Sequence, residues 1–515
     1  MHKHNAKERL FLLFDPSHPT WFQLLSFLVA KMLLLFLLVY GLGICLTPDE
    51  AQYWTWSQQL DWGYYSKPPA IAWQIWLGTS LFGNTEFGVR FLSAVFGIGL
   101  GWSVYRLAKI CQLRTEIAFW SGLWMTLIPA GWLGSLFAIT DGGLVLFWTI
   151  ACQEVAEALQ KRRPIPFLRL GGALGIAGLF KWVAFLFWPL LLGFLWIRWK
   201  ETSFLWGRRL FWSACVACLA LVPSLLWNVK HEWATFRHVH ATLQGGHGGN
   251  LGNFGEFFGA QLLLLTPLLF GFFGMALYRF WARWQEESLE STFLFWMGSI
   301  GLMAAMLLAM RQKMQGNWAI FAYPPLVVVA VREMFFRLHR PLTWNMRGAI
   351  ITCGVVMGAF MLPVLLSLPE KLQPFKQALS WQEMGTILEN QGYRPHDHFL
   401  VADTYQTSSL LSFYVPGKKR AYFLNLQNIR NNQFSYWPSL QEERLGKSGY
   451  FVRVGHAQKD PDLAQMYLRL LQPYFNQVSL LGVYPLWPYG EESRHLFVFW
   501  CEGVASALPP VSSLF

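Results

Sequence analysis

Between Leu46 and Pro69 the chain reads LTPDEAQYWTWSQQLDWGYYSKPP, with Asp49, Glu50, Asp61 and Lys67 set among six aromatic residues. Carboxylates take and give protons and an ammonium holds an anion, so this stretch has the groups for chemistry. TPDE also reads as a helix start, with Thr47 as N-cap, Pro48 at the first position and Glu50 closing a capping box. Glu50 is accounted for by that cap. Asp49 has two readings. It is a second acid for the helix dipole, or it is a catalyst. A helix from Pro48 aligns Asp49, Tyr53, Trp56 and Leu60 in one stripe, and a carboxylate continuous with an aromatic, membrane-facing stripe is poorly placed for solvation.

Other residues invite the same question. Asp141 opens an apolar run directly after Thr140, as a helix cap or as a second site carboxylate. Lys181 interrupts an apolar run, where a charge at mid-helix costs about 2.5–3.5 kcal/mol. His231, His238 and His240 crowd the stretch after LLWNVK, with His247 in QGGHGGN. His238 and His240 are the pair that could take a metal, although two histidines alone are an incomplete ligand set. GGHGGNLGN lacks the strand–helix context of a phosphate loop and reads better as a mobile flap.

The elements that must position these residues follow from composition. Of 515 residues, 54% are hydrophobic and 14% charged, against about 25% charged in soluble proteins. The 28 Trp suit lipid headgroup surfaces. This is the composition of a polytopic, mainly α-helical membrane protein. The net charge of +12 is spread between apolar runs rather than gathered in one patch, which excludes nucleic acid as the natural partner. Six of the seven cysteines lie in or beside apolar runs, so no disulfide framework is expected. Cys215 and Cys218 form a C-x-x-C inside FWSACVACLALVPSLLW, where small buried side chains are the simpler account.

Runs long enough to span predict eleven transmembrane helices, at roughly 21–46, 87–108, 116–138, 142–160, 168–181, 183–199, 210–227, 257–279, 291–310, 317–336 and 347–367. The pair at 168–199 is short, with Lys181 between its members. Ile71–Phe82 is too short to span and reads as an interfacial helix. The basic N-terminus has no small-residue cleavage site and reads as a retained anchor. With the N-terminus inside, the basic loops RLAKICQLR, QKRRPIPFLR, RWKETSFLWGRR, YRFWARW and VREMFFRLHRPLTWNMR all fall inside. The 47–86 stretch, the Thr140–Gly142 turn, the 228–256 loop and RQKMQGN fall outside, as the positive-inside rule requires.

After about residue 368 the character changes. DHFLVAD, GYFVRV, VSLLGVYPL and SRHLFVFWCEG are strand-like pieces among helical patterns. Roughly 145 residues suffice for an extramembrane α/β domain. The expected organisation is a membrane domain over 1–368, with a first outside loop at 47–86, and an α/β domain over 369–515.

DEAQYWTWSQQLDWGYYSKPPAIAWQIWLGTSLFGNTEFGVRFLSAVFG resembles the first periplasmic loop of the bacterial polyprenyl-phosphate-sugar glycosyltransferases of the GT-C fold, relatives of the protein O-mannosyltransferases and lipid A aminoarabinose transferases. TDGGLVLFW, LFKWVAFLFWPLLL, PSLLWNVKHEWATFRHVH, GNWAIFAYPPL and YQTSSLLSFYVPG follow in the family's order across nearly the whole chain. The resemblance implies a multi-pass enzyme of the bacterial inner membrane, with its active site and C-terminal domain on the periplasmic side. Its partners would be a polyprenyl (undecaprenyl) phosphate sugar donor, a glycolipid acceptor such as lipid A or lipopolysaccharide core, and membrane lipids.

By the same resemblance, Asp49 is the base that deprotonates the acceptor hydroxyl, a role worth about 10²–10⁴-fold, and attack opposite the phosphate inverts the anomeric centre. Asp141 is a second catalytic acid, orienting the acceptor or binding a metal. The departing lipid phosphate needs fixed cations; Lys67, stiffened by Pro68 and Pro69, is the first choice, followed by Lys181, Arg90 and Lys313, with Arg311 of the same kind. Glu50, Tyr64, Tyr65, His231 and His240 are expected to touch substrate. A divalent metal is left open; Ser66 stands where some relatives carry a zinc-binding acid before the KP lysine, which speaks against zinc. Two rivals remain: a protein O-mannosyltransferase, which differs in acceptor, and a transporter or flippase, which should show inverted repeats and charges near mid-membrane, whereas no such repeat is visible here and the acids sit at helix ends on one side.

Overall fold

The computed structural model describes residues 19–244, 251–284, 286–366, 368–369, 372–373, 375–426, 431–456, 461–486 and 494–505. The N-terminal segment to residue 18 and residues 245–250, which hold His247 and most of the stretch expected to form a flap, lie outside them. The chain forms two compact units: Met1–Phe36, Phe91–Leu226 and His240–Val356 make the first, and Leu37–Arg90, Trp227–Val239 and Met357–Phe515 the second.

Among the described residues, six helices are long and apolar enough to cross a bilayer: Trp21–Gly41, Glu86–Ile110, Thr140–Gln160, Leu289–Ala309, Gly316–Arg337 and Pro341–Pro363. Leu33, Leu37, Ile350, Ile351 and Val355 are exposed on two of them, which suits lipid and not water. This is a multi-pass membrane protein. Four further apolar stretches are bent pairs, and counting each as one span gives ten. The expected eleventh, 168–181, is a helix of 14 residues, Phe167–Phe180, shorter than a span requires.

The bends correct the reading of straight spans. The expected 257–279 helix turns by 104° between Leu265 and Pro267, at Thr266 with φ +74°. The 116–138 stretch bends by 63° before Pro129, 210–227 by 41°, and the chain turns by 105° after Ile197. Pro129 and Pro267 each open a new helix, where a missing N–H and a fixed φ suit the first turn.

In the first unit, small residues let helices close up. A Cβ on Gly171 would lie 2.5 Å from the Ser213 carbonyl oxygen of the Arg208–Leu219 helix, and one on Gly143 would lie 2.4 Å from the Phe180 ring. Backbones approach there because no side chain intervenes. The Gly143 contact seats the end of the Phe167–Phe180 helix against the first turn of Thr140–Gln160.

The second unit holds a five-stranded sheet. Strands β1 (Phe399–Ala402), β2 (Tyr422–Phe423), β3 (Gly449–Gly455), β4 (Phe475–Pro485) and β5 (His495–Val504) lie in the order β2-β1-β3-β5-β4. The first three are parallel and β5 runs antiparallel to both β3 and β4. Val401, Phe451, Phe499, Tyr467 and Leu471 fill its core. The crossover from β1 to β2 is the Tyr405–Tyr414 helix, as a parallel connection demands. That helix packs along Pro48–Ser57, with Trp54 and Phe413 edge to face at 5.0 Å. The sheet therefore braces the opening stretch through one helix.

Candidate functional site

The Pro48–Ser57 helix starts as its sequence dictates. The Thr47 hydroxyl accepts from the Glu50 N–H at 3.2 Å, and the Glu50 carboxylate accepts from the Thr47 N–H at 2.9 Å. Glu50 is buried, and Arg90 grips it through Nε and Nη2 at 2.8 Å each. Arg90 also donates to the carbonyl oxygens of Ile44 at 3.0 Å and Cys45 at 2.6 Å. The Leu46 N–H donates to the Tyr414 hydroxyl, which itself donates to Glu86. The first turn is thus tied at every corner.

Asp49 stands apart from this bracing. Among the described residues its carboxylate makes no hydrogen bond and no ion pair, and it stays exposed to solvent. Yet the surrounding protein holds its carboxyl above the usual carboxylate range; desolvation is the largest influence, Lys67 opposes it and Glu50 adds to it. Both facts fit a side chain on a concave wall, which water reaches from one side only. Tyr405, at the start of the crossover helix, feels the Asp49 charge: burial and then Asp49 raise its phenol to about 12.

Lys67 is half-buried, and its carbonyl oxygen accepts from the Tyr64 N–H at 3.1 Å, closing the turn before the two prolines. Its charge acts on both Asp49 and His238. Burial first, then Lys67, lowers the His238 imidazole below its ordinary value. A second layer steadies this loop. Asp61 accepts from the Trp227 indole N–H at 2.8 Å, the Thr235 hydroxyl donates to the Tyr64 carbonyl oxygen at 3.0 Å, and Tyr65 donates its N–H to Gln433 at 2.7 Å. A Cβ on Gly63 would meet the Trp227 side chain at 3.0 Å.

In the first unit, a separate charged cluster forms where Gly143 admits Phe180. Asp141 is buried at the start of Thr140–Gln160; it accepts from Lys181 Nζ at 2.9 Å and from the Asn317 amide at 2.6 Å. Lys181 lies in extended backbone between two helical pieces, half-buried. Both Asp141 oxygens are thus engaged, one by Lys181 and one by Asn317.

Comparison with known proteins fixes the class. Residues 66–227 match the dolichyl-phosphate-mannose-protein mannosyltransferase family. The lipid A galacturonosyltransferase RgtD of Rhizobium johnstonii is 32% identical over 339 residues, covering 65% of this chain and 71% of that one. The chain belongs to the GT-C glycosyltransferases. An undecaprenyl phosphate-α-4-amino-4-deoxy-L-arabinose arabinosyl transferase of Pseudomonas fluorescens is 29% identical over 233 residues, 39% of each chain. The crystal structure of apo ArnT from Cupriavidus metallidurans shares the fold, with a TM-score of 0.62 at 16% identity over 92% of this chain and 97% of that one. Family membership makes the chain a transferase and sets the transporter aside.

Several other expected site residues of the transferase are engaged with neighbours within the chain. Glu50 and Arg90 are buried in each other's grip. Tyr64 is buried, stacked on Trp56 at 4.6 Å, with its hydroxyl donating to the Trp56 and Gln59 carbonyl oxygens. His231 stacks on Trp227 at 4.1 Å, and its Nδ1 meets the Trp227 carbonyl oxygen at 2.8 Å. Lys313 is exposed, 3.5 Å from Glu256. The expected stripe fails as well: the helix ends at Ser57, before Leu60, and Tyr53 and Trp56 are buried rather than facing lipid.

His238 and His240 both lie in the Ala234–Gln244 helix. Residues two apart on a helix point to opposite sides, so they cannot chelate one ion together. Among the described residues no three His, Cys, Asp or Glu side chains gather as a metal site needs. The Tyr65 ring packs on His238 at 4.9 Å, and its hydroxyl makes no hydrogen bond among the described residues. Asn317 and Tyr405 were missed, although both lie in stretches, GNWAIFAYPPL and YQTSSLLSFYVPG, that carry the resemblance.

Proposed function

We propose that the transferase moves a sugar from an undecaprenyl phosphate carrier to a hydroxyl of lipid A or a related envelope glycolipid, at the periplasmic face of the bacterial inner membrane. The observation that carries this is Asp49, an accessible carboxylate without a hydrogen-bond or ion-pair partner among the described residues, on a helix start fixed by Thr47, Glu50 and Arg90. Asp49 takes the acceptor hydroxyl proton; the oxygen attacks the anomeric carbon from the face opposite the phosphate. The carbon–oxygen bond to phosphate breaks, and its electron pair leaves with the lipid phosphate. The product has inverted configuration.

Lys67 meets the charge that grows on the phosphate, as a fixed cation in a partly desolvated position. Lys181, held by Asp141 and Asn317 within the first unit, is proposed as a phosphate cation on the sequence resemblance alone. Tyr65 and Tyr405 offer hydroxyls to the sugar or acceptor. The acceptor and donor classes are supported by the relatives, one named for lipid A galacturonosyl transfer and one for undecaprenyl phosphate aminoarabinose. The bias of basic loops to one side supports the periplasmic placement of the 47–86 loop and of the domain from residue 369.

Mass spectrometry of lipid A from a deletion strain, complemented with wild type or Asp49→Asn, tests this. A sugar-bearing lipid A species should vanish on deletion and return with wild type alone. Unchanged lipid A alongside altered glycoproteins would overturn the lipid acceptor, and full rescue by Asp49→Asn would remove Asp49 as the base.

A further inference from the structure

The Phe187–Ile197 helix, the bent pair Leu251–Leu265 and Pro267–Arg283, and the Leu289–Ala309 helix line a cavity of about 510 Å³ in the first unit. That volume lies within the range of small-molecule sites. Phe194, Phe258, Phe270, Phe295 and Met306 contribute to an overwhelmingly apolar wall. Thr292 and Ser299 also line it, but their hydroxyls donate to the Ser288 and Phe295 carbonyl oxygens of the same helical segment.

Arg198 is the exception on this wall. It is only 8% exposed; its Nε and Nη2 donate to Glu201 at 2.9 and 2.5 Å, and its guanidinium lies 5.2 Å from the Trp284 ring centroid. Its Nη1 is buried with no hydrogen-bond partner among the described residues. A buried donor left without an acceptor costs about 1–3 kcal/mol, and more on a charged group. An acceptor oxygen supplied by a ligand would remove that cost.

We propose that this cavity binds an anionic membrane phospholipid, one acyl chain among the phenylalanines and its phosphate accepting from Arg198 Nη1. The surroundings favour a lipid over a soluble anion. Residues 198–209 carry four cations, Arg198, Lys200, Arg208 and Arg209, against one acid, Glu201. Trp196, Trp199 and Trp284 are exposed in the adjoining segments, the residue type that marks headgroup level. Within the first unit the site is also distinct from Lys181 and its partners Asp141 and Asn317. Lys181 precedes and Arg198 follows the helical stretch Trp182–Ile197, which by helix rise sets them about 25 Å apart.

The full chain, purified in mild detergent, can be assayed by native mass spectrometry and by extraction of retained lipid. Wild type should retain a phosphatidylglycerol-class phospholipid and gain thermal stability when it is added back. Arg198→Met removes the charge and the Nη1 donor together. Gly274→Leu fills the cavity from a lining position where a Cβ meets nothing within 4 Å, so it tests occupancy without touching the Arg198–Glu201 pair. Each should cut retention by at least about tenfold, the loss expected for one charge-assisted hydrogen bond or for a blocked chain. A wild type without phospholipid, one holding polyprenyl phosphate in its place, or a Gly274→Leu protein retaining the wild-type amount would overturn the proposal.

Discussion

Arg90 and Glu50 form a doubly hydrogen-bonded ion pair, both contacts 2.8 Å and both side chains out of water. Forty positions apart, they lock the start of the Pro48–Ser57 helix to the start of Glu86–Ile110. Removing one partner of such a pair strands the other charge, at about 3–5 kcal/mol. Arg90→Met and Glu50→Gln should therefore lower the thermal midpoint in detergent and the yield of folded protein. A midpoint equal to wild type in either variant would show that the pair is not structural.

Asp49 should behave in the opposite way. Its carboxyl is held above the ordinary range, so ionising it costs the folded state more than the unfolded one. That contribution favours the fold at low pH and is lost as pH rises through the raised value. At neutral pH Asp49→Asn should be as stable as wild type or more so, while turnover falls about 10²–10⁴-fold. Thermal melts beside turnover assays check both halves, and a destabilised Asp49→Asn would make the residue a strut.

The same shift fixes the acid limb of the rate profile. A base must be ionised, so activity should fall as pH drops through the Asp49 value, above where an ordinary aspartate would titrate. Lys67 opposes the shift, so Lys67→Met should move that limb to higher pH as well as weaken donor phosphate binding. The limb can be followed as kcat/KM against pH for both proteins. An unmoved limb would mean that Asp49 and Lys67 do not share one field.

Much of this site was legible in the sequence where the determinants are local. Thr47, Pro48 and Glu50 announce the capping box within four residues, and β1, β3, β4 and β5 each show as apolar runs; β2, only two residues long, leaves no pattern to see. Pro129 and Pro267 signalled the bends and were read through. What the sequence could not show is pairing at a distance. Arg90 carries the same charge whether it clamps a phosphate or Glu50, and only the tertiary path of the chain decides. Tyr64 and His231 make the same point, since nothing local in the sequence says that their rings stack on Trp56 and Trp227.

Gly143 supplies a test of how Lys181 is positioned. Its missing Cβ admits the Phe180 ring, and Phe180 is followed directly by Lys181, whose ammonium meets Asp141 two residues before Gly143. Gly143→Val must push Phe180 outward and draw Lys181 off Asp141, with no charge altered. If Lys181 serves the donor phosphate, Gly143→Val should raise the donor KM in step with Lys181→Met, whereas Asp141→Asn, which keeps hydrogen-bonding capacity but loses the ion pair, should fall between them and wild type. Gly143→Val with an unchanged donor KM, in protein of normal folded yield, would separate Lys181 from the donor phosphate and leave Asp141 and Asn317 as its partners for structure alone.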